Sequence, residues 1–206
     1  MRQGASAPVF PWSRALVSGG LAAIVAILAL AATASGASVD DRLAGCLACH
    51  GPGGQSVIPE TPSLGGQPSF FVVAQLFLFR EGRRNSPLMN ELAKTLTNDD
   101  LRAFAERISK LPPPPSPGPP DPAIFARGRA LAGRRPCPVC HNPDFSGREQ
   151  MPRLANQRED YLLKAMREYQ SGARIGYGGT MLDELKGLSD AELHDLAHFF
   201  AHLPGP

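Results

Sequence analysis
Two pentapeptides carry the chemistry in this sequence: Cys46-Leu47-Ala48-Cys49-His50 and Cys137-Pro138-Val139-Cys140-His141. Both read C-x-x-C-H. That spacing lets two thiols add across the two vinyl groups of one porphyrin while the next residue turns an imidazole toward its iron, the attachment signature of a c-type haem. All 4 cysteines of the chain fall in the two motifs. A zinc ribbon sets its C-x-x-C pairs about 15–20 residues apart, whereas 87 residues separate Cys49 from Cys137. A thioredoxin-like pair needs a βαβ setting that the flanks lack, and it gives neither histidine a role. Two structural disulfides satisfy the count alone in an exported chain.

With histidine on one side of each iron, the ligand opposite decides the use of the metal. There are 5 methionines. Met1 is in the leader, Met166 aligns with Leu76 inside an expected helix, and Met151 directly precedes Pro152, in a loop expected on the histidine side. Met89 and Met181 follow their histidines by 39 and 40 residues, in what read as loops ahead of the last helix of each half. The expected ligand sets are therefore His50 with Met89 and His141 with Met181. A thioether favours reduced iron and raises the potential relative to a second histidine. The loops at Pro62 and Pro152 are placed to offer a backbone carbonyl to the other ring nitrogen of each histidine, support that a ligating histidine usually has. The prolines serve equally as turn rigidifiers. Arg84 and Arg174 are candidates for pairing with haem propionates or for solvated surface positions.

The elements that position these residues are written twice. Cys46 aligns with Cys137, Pro62-Ser63-Leu64 with Pro152-Arg153-Leu154, Gln67 with Gln157, Phe71 with Tyr161, Gly82 with Gly172, Arg84 with Arg174 and Met89 with Met181, at offsets of 90 to 92. Such self-similarity marks a duplicated unit. Each copy predicts three helices joined by long loops: Val39 to His50 and Pro122 to His141; Ser69 to Gly82 and Arg158 to Gly172, each stopped by a glycine; and a capped third helix. Thr97-Asn98-Asp99-Asp100 puts acids in its first turn, and Ser189-Asp190-Ala191-Glu192 fits the S-x-x-E capping box. Leu101, Phe104, Ala105, Ile108 and Leu111 match Leu193, Leu196, Ala197, Phe200 and Leu203 at the spacing of an amphipathic helix. No strand alternation is evident. Between the copies, Leu111 to Pro122 reads LPPPPSPGPPDP, an extended polyproline spacer.

Residues 1–34 look like a secretory leader: Arg2 and Arg14 without an acid, an uncharged apolar run from Ala15 to Val39, and A-x-A cleavage patterns at Ala32-Thr33-Ala34 and Ser35-Gly36-Ala37. The alternative is a retained anchor. The chain holds 21 Lys+Arg against 19 Asp+Glu. Without the leader's two arginines the balance is even, which excludes the basic footprint of a nucleic-acid binder. His194, His198 and His202 lie on one helix face; their counterparts Arg102, Glu106 and Lys110 are surface types, so this stripe is expected to face water rather than bind a metal.

The combination of two C-x-x-C-H motifs, two P-x-L-x-x-Q stretches (Pro62 to Gln67, Pro152 to Gln157), two G-x-R stretches (Gly82 to Arg84, Gly172 to Arg174) and a methionine before each last helix resembles the two-haem class I cytochromes c of the cytochrome c4 family. The resemblance covers almost everything after the leader. It implies an all-α fold of two tandem cytochrome c domains, 35–111 and 123–206, related by a pseudo-twofold across the linker 112–122. Each would surround one haem c, thioether-bound through Cys46 and Cys49 or through Cys137 and Cys140. It implies a periplasmic electron carrier between respiratory partners, such as a quinol-oxidising complex and a terminal oxidase, soluble or tethered to the inner membrane through its N-terminal segment. A permanent subunit of a membrane-bound dehydrogenase or oxidase is the first rival and a dihaem peroxidase the second. The chain departs from the family pattern in its long proline-rich linker, which calls tight packing of the halves into question. It departs again at Asn142-Pro143, where the first copy has Gly51-Pro52, so the turn there is expected to differ.

Overall fold
A computed structural model describes residues 1, 4, 37–174 and 179–204. The expected leader lies outside the described residues apart from Met1 and Gly4. From Val39 onward the chain forms one compact unit. Its first half contains α1 (Val39–His50), a short 3-10 turn (Pro52–Gly54), α2 (Ser69–Arg80), α3 (Pro87–Ala93) and α4 (Asn98–Ser109). The second contains α5 (Pro122–Gly133), α6 (Cys137–His141), α7 (Glu159–Gln170), α8 (Thr180–Leu185) and α9 (Asp190–Ala201). No strand occurs among the described residues, only an isolated bridge between Arg148 and Met151.

Local chemistry explains where the helices begin and end. Both last helices start in a full capping box. Thr97 Oγ1 accepts from the Asp100 amide while Asp100 takes the Thr97 amide, and Ser189 and Glu192 repeat the exchange. Each box satisfies two amide donors that the helix itself leaves unpaired. The second helices stop at Gly82 and Gly172, which take the left-handed conformation (φ 63° and 75°) open to glycine without a Cβ penalty. The single helix expected over Pro122–His141 is in fact two. Pro136 supplies no amide donor and Pro138 sits in the first turn of α6, so the chain breaks after Gly133 and restarts at Cys137.

The two halves repeat one packing scheme. The first helix crosses the last, the last packs on the second, and the second carries the short helix that precedes the last. Their cores differ in depth. In the first half Leu43, Val72, Phe104, Ala105 and Ile108 make a small cluster. The second half buries a larger set that includes Leu131, Phe145, Leu162, Met166, Leu193, Leu196 and Phe200. Phe145 meets Phe199 and Phe200 edge-on, with ring centroids 5.7 and 4.9 Å apart.

The halves are also docked, contrary to the expectation from the linker. The proline run packs along the protein: a Cβ on Gly65 would lie 2.1 Å from the Pro112 carbonyl, and Gly66 packs on Pro113. Farther on, the Gly118 carbonyl accepts from His202 Nδ1 at 3.1 Å, and the Asp121 amide donates to His198 Nε2 at 3.0 Å. A polyproline segment has few conformations to lose, so laying it down along a surface costs little ordering entropy.

Two predictions follow from the packing. Gly128 sits where α5 meets α9, and a Cβ there would fall 2.1 Å from the Asp195 carbonyl and 2.6 Å from Phe199 Cβ. Gly128→Ala should therefore force the helices apart and cost about 1–3 kcal/mol, the usual range for overpacking, read as a lower denaturant midpoint. Because small domains with thin cores need a staple, removing the attachment thiols with Cys46→Ser plus Cys49→Ser should strip helix from the first half. Cys137→Ser plus Cys140→Ser should strip less from the better-filled second half. Far-UV circular dichroism of the two proteins gives the comparison.

Candidate haem sites
The motif residues occupy equivalent places. Cys46, Cys49 and His50 close the last turns of α1, and Cys137, Cys140 and His141 make up α6 with Pro138 and Val139. The four cysteines form no disulfides. Cys46 and Cys137 lean on the two cores, and burial pushes both thiols above their ordinary value. That is the opposite of the depressed thiol of a dithiol redox pair.

Both histidines are buried, His141 to 3% exposure. His50 Nδ1 lies 2.8 Å from the Pro62 carbonyl and His141 Nδ1 lies 2.9 Å from the Pro152 carbonyl. A carbonyl only accepts, so each imidazole carries its proton on Nδ1 and keeps the Nε2 lone pair free. Burial pushes both imidazoles below their usual value, against a smaller opposing effect of the proline carbonyls. The neutral tautomer is thereby favoured, the form that binds metal. His141 Nε2 is buried and without any hydrogen-bond partner. A buried nitrogen rarely stays unpaired, and an iron bound there would satisfy this one.

After each histidine the chain must turn back sharply. Gly51 does so at φ 82°, ψ 157°. Asn142 takes nearly the same conformation, φ 69°, ψ 156°, so the turn expected to differ is the same turn made by a less suitable residue. This region is open almost only to glycine and costs other residues about 1–3 kcal/mol. Asn142 Nδ2 donates to Ser146 Oγ at 3.0 Å and to the Gly147 carbonyl at 2.9 Å, which offsets part of that cost.

Met89 and Met181 do not lie in loops as expected. Each sits in the first turn of a short helix, α3 and α8, which packs on the second helix of its half. Both are half-buried, and Met181 touches the second core. Pro87 starts α3 and Gly179 precedes α8 at φ 77°. No apolar periodicity can develop over seven or six residues, so these helices were invisible as a pattern. Met166 is buried in the second core, as its alignment with Leu76 predicted.

Arg84 and Arg174 are not solvated. They are 9% and 5% exposed and meet across the halves. Arg84 Nη1 donates to Gln75 Oε1 at 2.6 Å and its Nη2 to the Tyr161 hydroxyl at 3.1 Å; Arg174 reaches both acceptors at 3.4 Å. Burial pushes the Tyr161 phenol up, but the charges of Arg174 and Arg84 outweigh it and bring the group to about 8. Neither arginine forms an ion pair among the described residues, and Arg174 Nε has no partner. Each guanidinium also lies over an aromatic ring, Arg84 at 4.5 Å from the Phe79 centroid and Arg174 at 4.7 Å from that of Tyr169, and the propionates of a haem would be fitting anions for the pair.

The histidine stripe is also corrected. His194 is partly exposed, but His198 and His202 are covered. His198 accepts from the Asp121 amide through Nε2, so its Nδ1 carries the proton and faces Glu159 at 3.0 Å. With Glu159 these rings form a cluster of potential metal donors. Both nitrogens of His198 are already committed, however, and the cluster's visible work is to fasten the linker to the second half.

Comparison with known proteins fits this arrangement. The Cytochrome c family profile matches residues 125–204. A thiosulfate dehydrogenase electron acceptor from Thiomonas intermedia is 34% identical over 185 residues, 84% of this chain and 85% of that protein. Cytochrome c4 of Thiocapsa roseopersicina is 30% identical over 169 residues, 77% of this chain and 86% of that protein. The crystal structure of reduced recombinant cytochrome c4 from Pseudomonas stutzeri superposes with a TM-score of 0.73 at 26% identity, covering 80% of this chain and 96% of the other. A duplicated helical unit with two C-x-x-C-H motifs, extended along nearly the whole length of such relatives, leaves one conclusion: the chain belongs to the cytochrome c4 family, electron carriers with two covalently bound haems c.

Proposed function
We propose that this cytochrome works in the periplasm, taking electrons one at a time from a respiratory dehydrogenase or quinol-oxidising complex and passing them toward a terminal oxidase. Its haem domains are 35–111 and 123–206, joined by the spacer 112–122. The attachment residues are Cys46 and Cys49 in the first and Cys137 and Cys140 in the second. His50 and Met89 would hold the first iron, and His141 and Met181 the second. The observation that carries this reading is the pair of buried imidazoles held through Nδ1 by a proline carbonyl at 2.8 and 2.9 Å, each leaving Nε2 for a metal.

A bound haem c supplies a one-electron ferrous–ferric couple, and a sulfur ligand raises its potential. The protein's part is to keep the ligands still. His50 and His141 are fixed at both ends of the ring, by the helix behind and the carbonyl ahead. Met89 and Met181 ride on short helices packed against longer ones, so little has to reorganise when charge changes. Arg84 and Arg174, buried and sharing Gln75 and Tyr161 as acceptors, would pair with haem propionates. No helix among the described residues is long and apolar enough to cross a membrane. Export rests on residues 1–34, by the lack of acid, the apolar run and the A-x-A patterns. The relative named as a thiosulfate dehydrogenase electron acceptor favours a sulfur-compound dehydrogenase as donor.

The ligand assignment predicts a weak band near the red end of the ferric spectrum, the mark of methionine–iron bonds. Met89→Ala and Met181→Ala should each remove part of it and lower the potential of one haem, while the double variant removes it entirely. A band untouched by either change would refute the assignment. The intact mass of the exported protein should exceed that of its amino acids by two haems, and it also reports whether residues 1–34 have been removed.

A further inference from the structure
The two halves hold each other at a particular peptide. Gln157 Oε1 accepts from the Ser63 amide at 2.8 Å, and its Nε2 donates to the Ser63 carbonyl at 2.8 Å. Gln67 mirrors it: Oε1 accepts from the Arg153 amide at 3.0 Å and Nε2 donates to the Arg153 carbonyl at 3.1 Å. Both glutamines are buried. Ser63 and Arg153 are the residues after Pro62 and Pro152. The amide that Gln157 receives therefore belongs to the same planar peptide unit whose carbonyl takes the His50 proton. The same holds for Gln67, the Pro152–Arg153 peptide and His141.

A peptide whose N–H is held becomes a better acceptor at its oxygen, because hydrogen bonds in a chain polarise one another. The chain here runs from the glutamine oxygen through the peptide to the imidazole Nδ1–H. A stronger acceptor at Nδ1 makes the imidazole a stronger donor at Nε2, which favours ferric iron. The first loop is gripped further: Arg158 Nη1 donates to the Ser56 carbonyl at 3.1 Å, and Asp160 accepts from the Glu60 amide at 3.0 Å.

Building on the ligand reading above, we propose that Gln157 is a positioning residue for His50, and Gln67 for His141, so that the potential of each haem is set in part by the opposite half. Polar contacts that merely glued the halves together would not carry this crossed signature.

The test uses the dihaem holoprotein with Gln157→Ala and Gln67→Ala, and Gln157→Met and Gln67→Met as volume-matched variants should alanine fail to yield folded protein. Redox titration followed by proton NMR of the haem methyl groups resolves the two haems, and Met89→Ala and Met181→Ala identify which is which. Gln157 variants should shift the first-half haem toward the reduced form by about threefold or more in its reduction equilibrium, the low end of what one hydrogen bond is worth. Gln67 variants should do the same to the second-half haem. An unchanged pair of potentials, a shift confined to the mutated half, or equal shifts in both would overturn the proposal. A wild-type ferric spectrum without the red band would overturn the ligand reading as well; with that band present, the crossed shift alone decides the role of the glutamines.

Discussion
An imidazole that is to offer Nε2 to a metal must keep its proton on Nδ1, and in a buried site that proton needs an acceptor. Here the acceptor is a backbone carbonyl delivered by a loop, at Pro62 for one ring and Pro152 for the other. A loop is a poor platform unless something fixes it, and much of the structure can be read as the fixing. Gly54 and Phe145 occupy equivalent places and accept from the amides of Leu64 and Gly65, and of Leu154 and Ala155. Ser63 Oγ takes the Ser56 amide, and Ser56 Oγ reaches back to the Cys49 carbonyl within the motif itself. The crossed glutamines then tie each loop to the other half.

The duplicated plan is carried by different materials in its two copies. Where the first half turns on Gly51 and Gly54, the second uses Asn142 and Phe145, both at positive φ. Such conformations cost about 1–3 kcal/mol for a residue with a Cβ. Phe145 brings compensation, since its ring joins Phe199 and Phe200 in a core that the first half does not match. The first half, with fewer buried apolar residues, relies more on its neighbour: Gln157, Arg158 and Asp160 all reach across to it. Backbone conformation is thus shared between the copies, while its cost and its support are distributed differently.

Electrostatics gives the interface its second character. The many surface ion pairs, such as Lys110 with Glu106 and Arg102 with Asp99, are exposed and contribute little. Arg84 and Arg174 are a different matter. They are buried where the halves meet, bonded to Gln75 and Tyr161 and lying over Phe79 and Tyr169, so an anion brought there by a bound haem would bear on the docking of the halves. Folding, cofactor binding and interdomain contact are in that sense one problem.

The sequence alone determined whatever depends on covalent spacing and local pattern. Two C-x-x-C-H motifs fix attachment chemistry by bond geometry. The capping boxes at Thr97 and Ser189, the glycine stops at Gly82 and Gly172, and the apolar faces of α4 and α9 are local signals, and the helices formed where those signals lie. The repeat itself exposed the paired prolines, glutamines and arginines as positions. What they do was decided only in three dimensions. Arg84 and Arg174 gave no sign that they were buried, because the partner each has in the opposite half, Tyr161 for Arg84 and Gln75 for Arg174, lies far along the chain. His198 read as a surface residue because its counterpart Glu106 is one, yet the linker folds over it. The methionine-bearing helices are too short to show a period, and the linker's prolines signal an extended path without saying what it lies against. Contacts between residues distant in sequence leave no local trace, since neither partner's pattern contains the other; only packing brings them together.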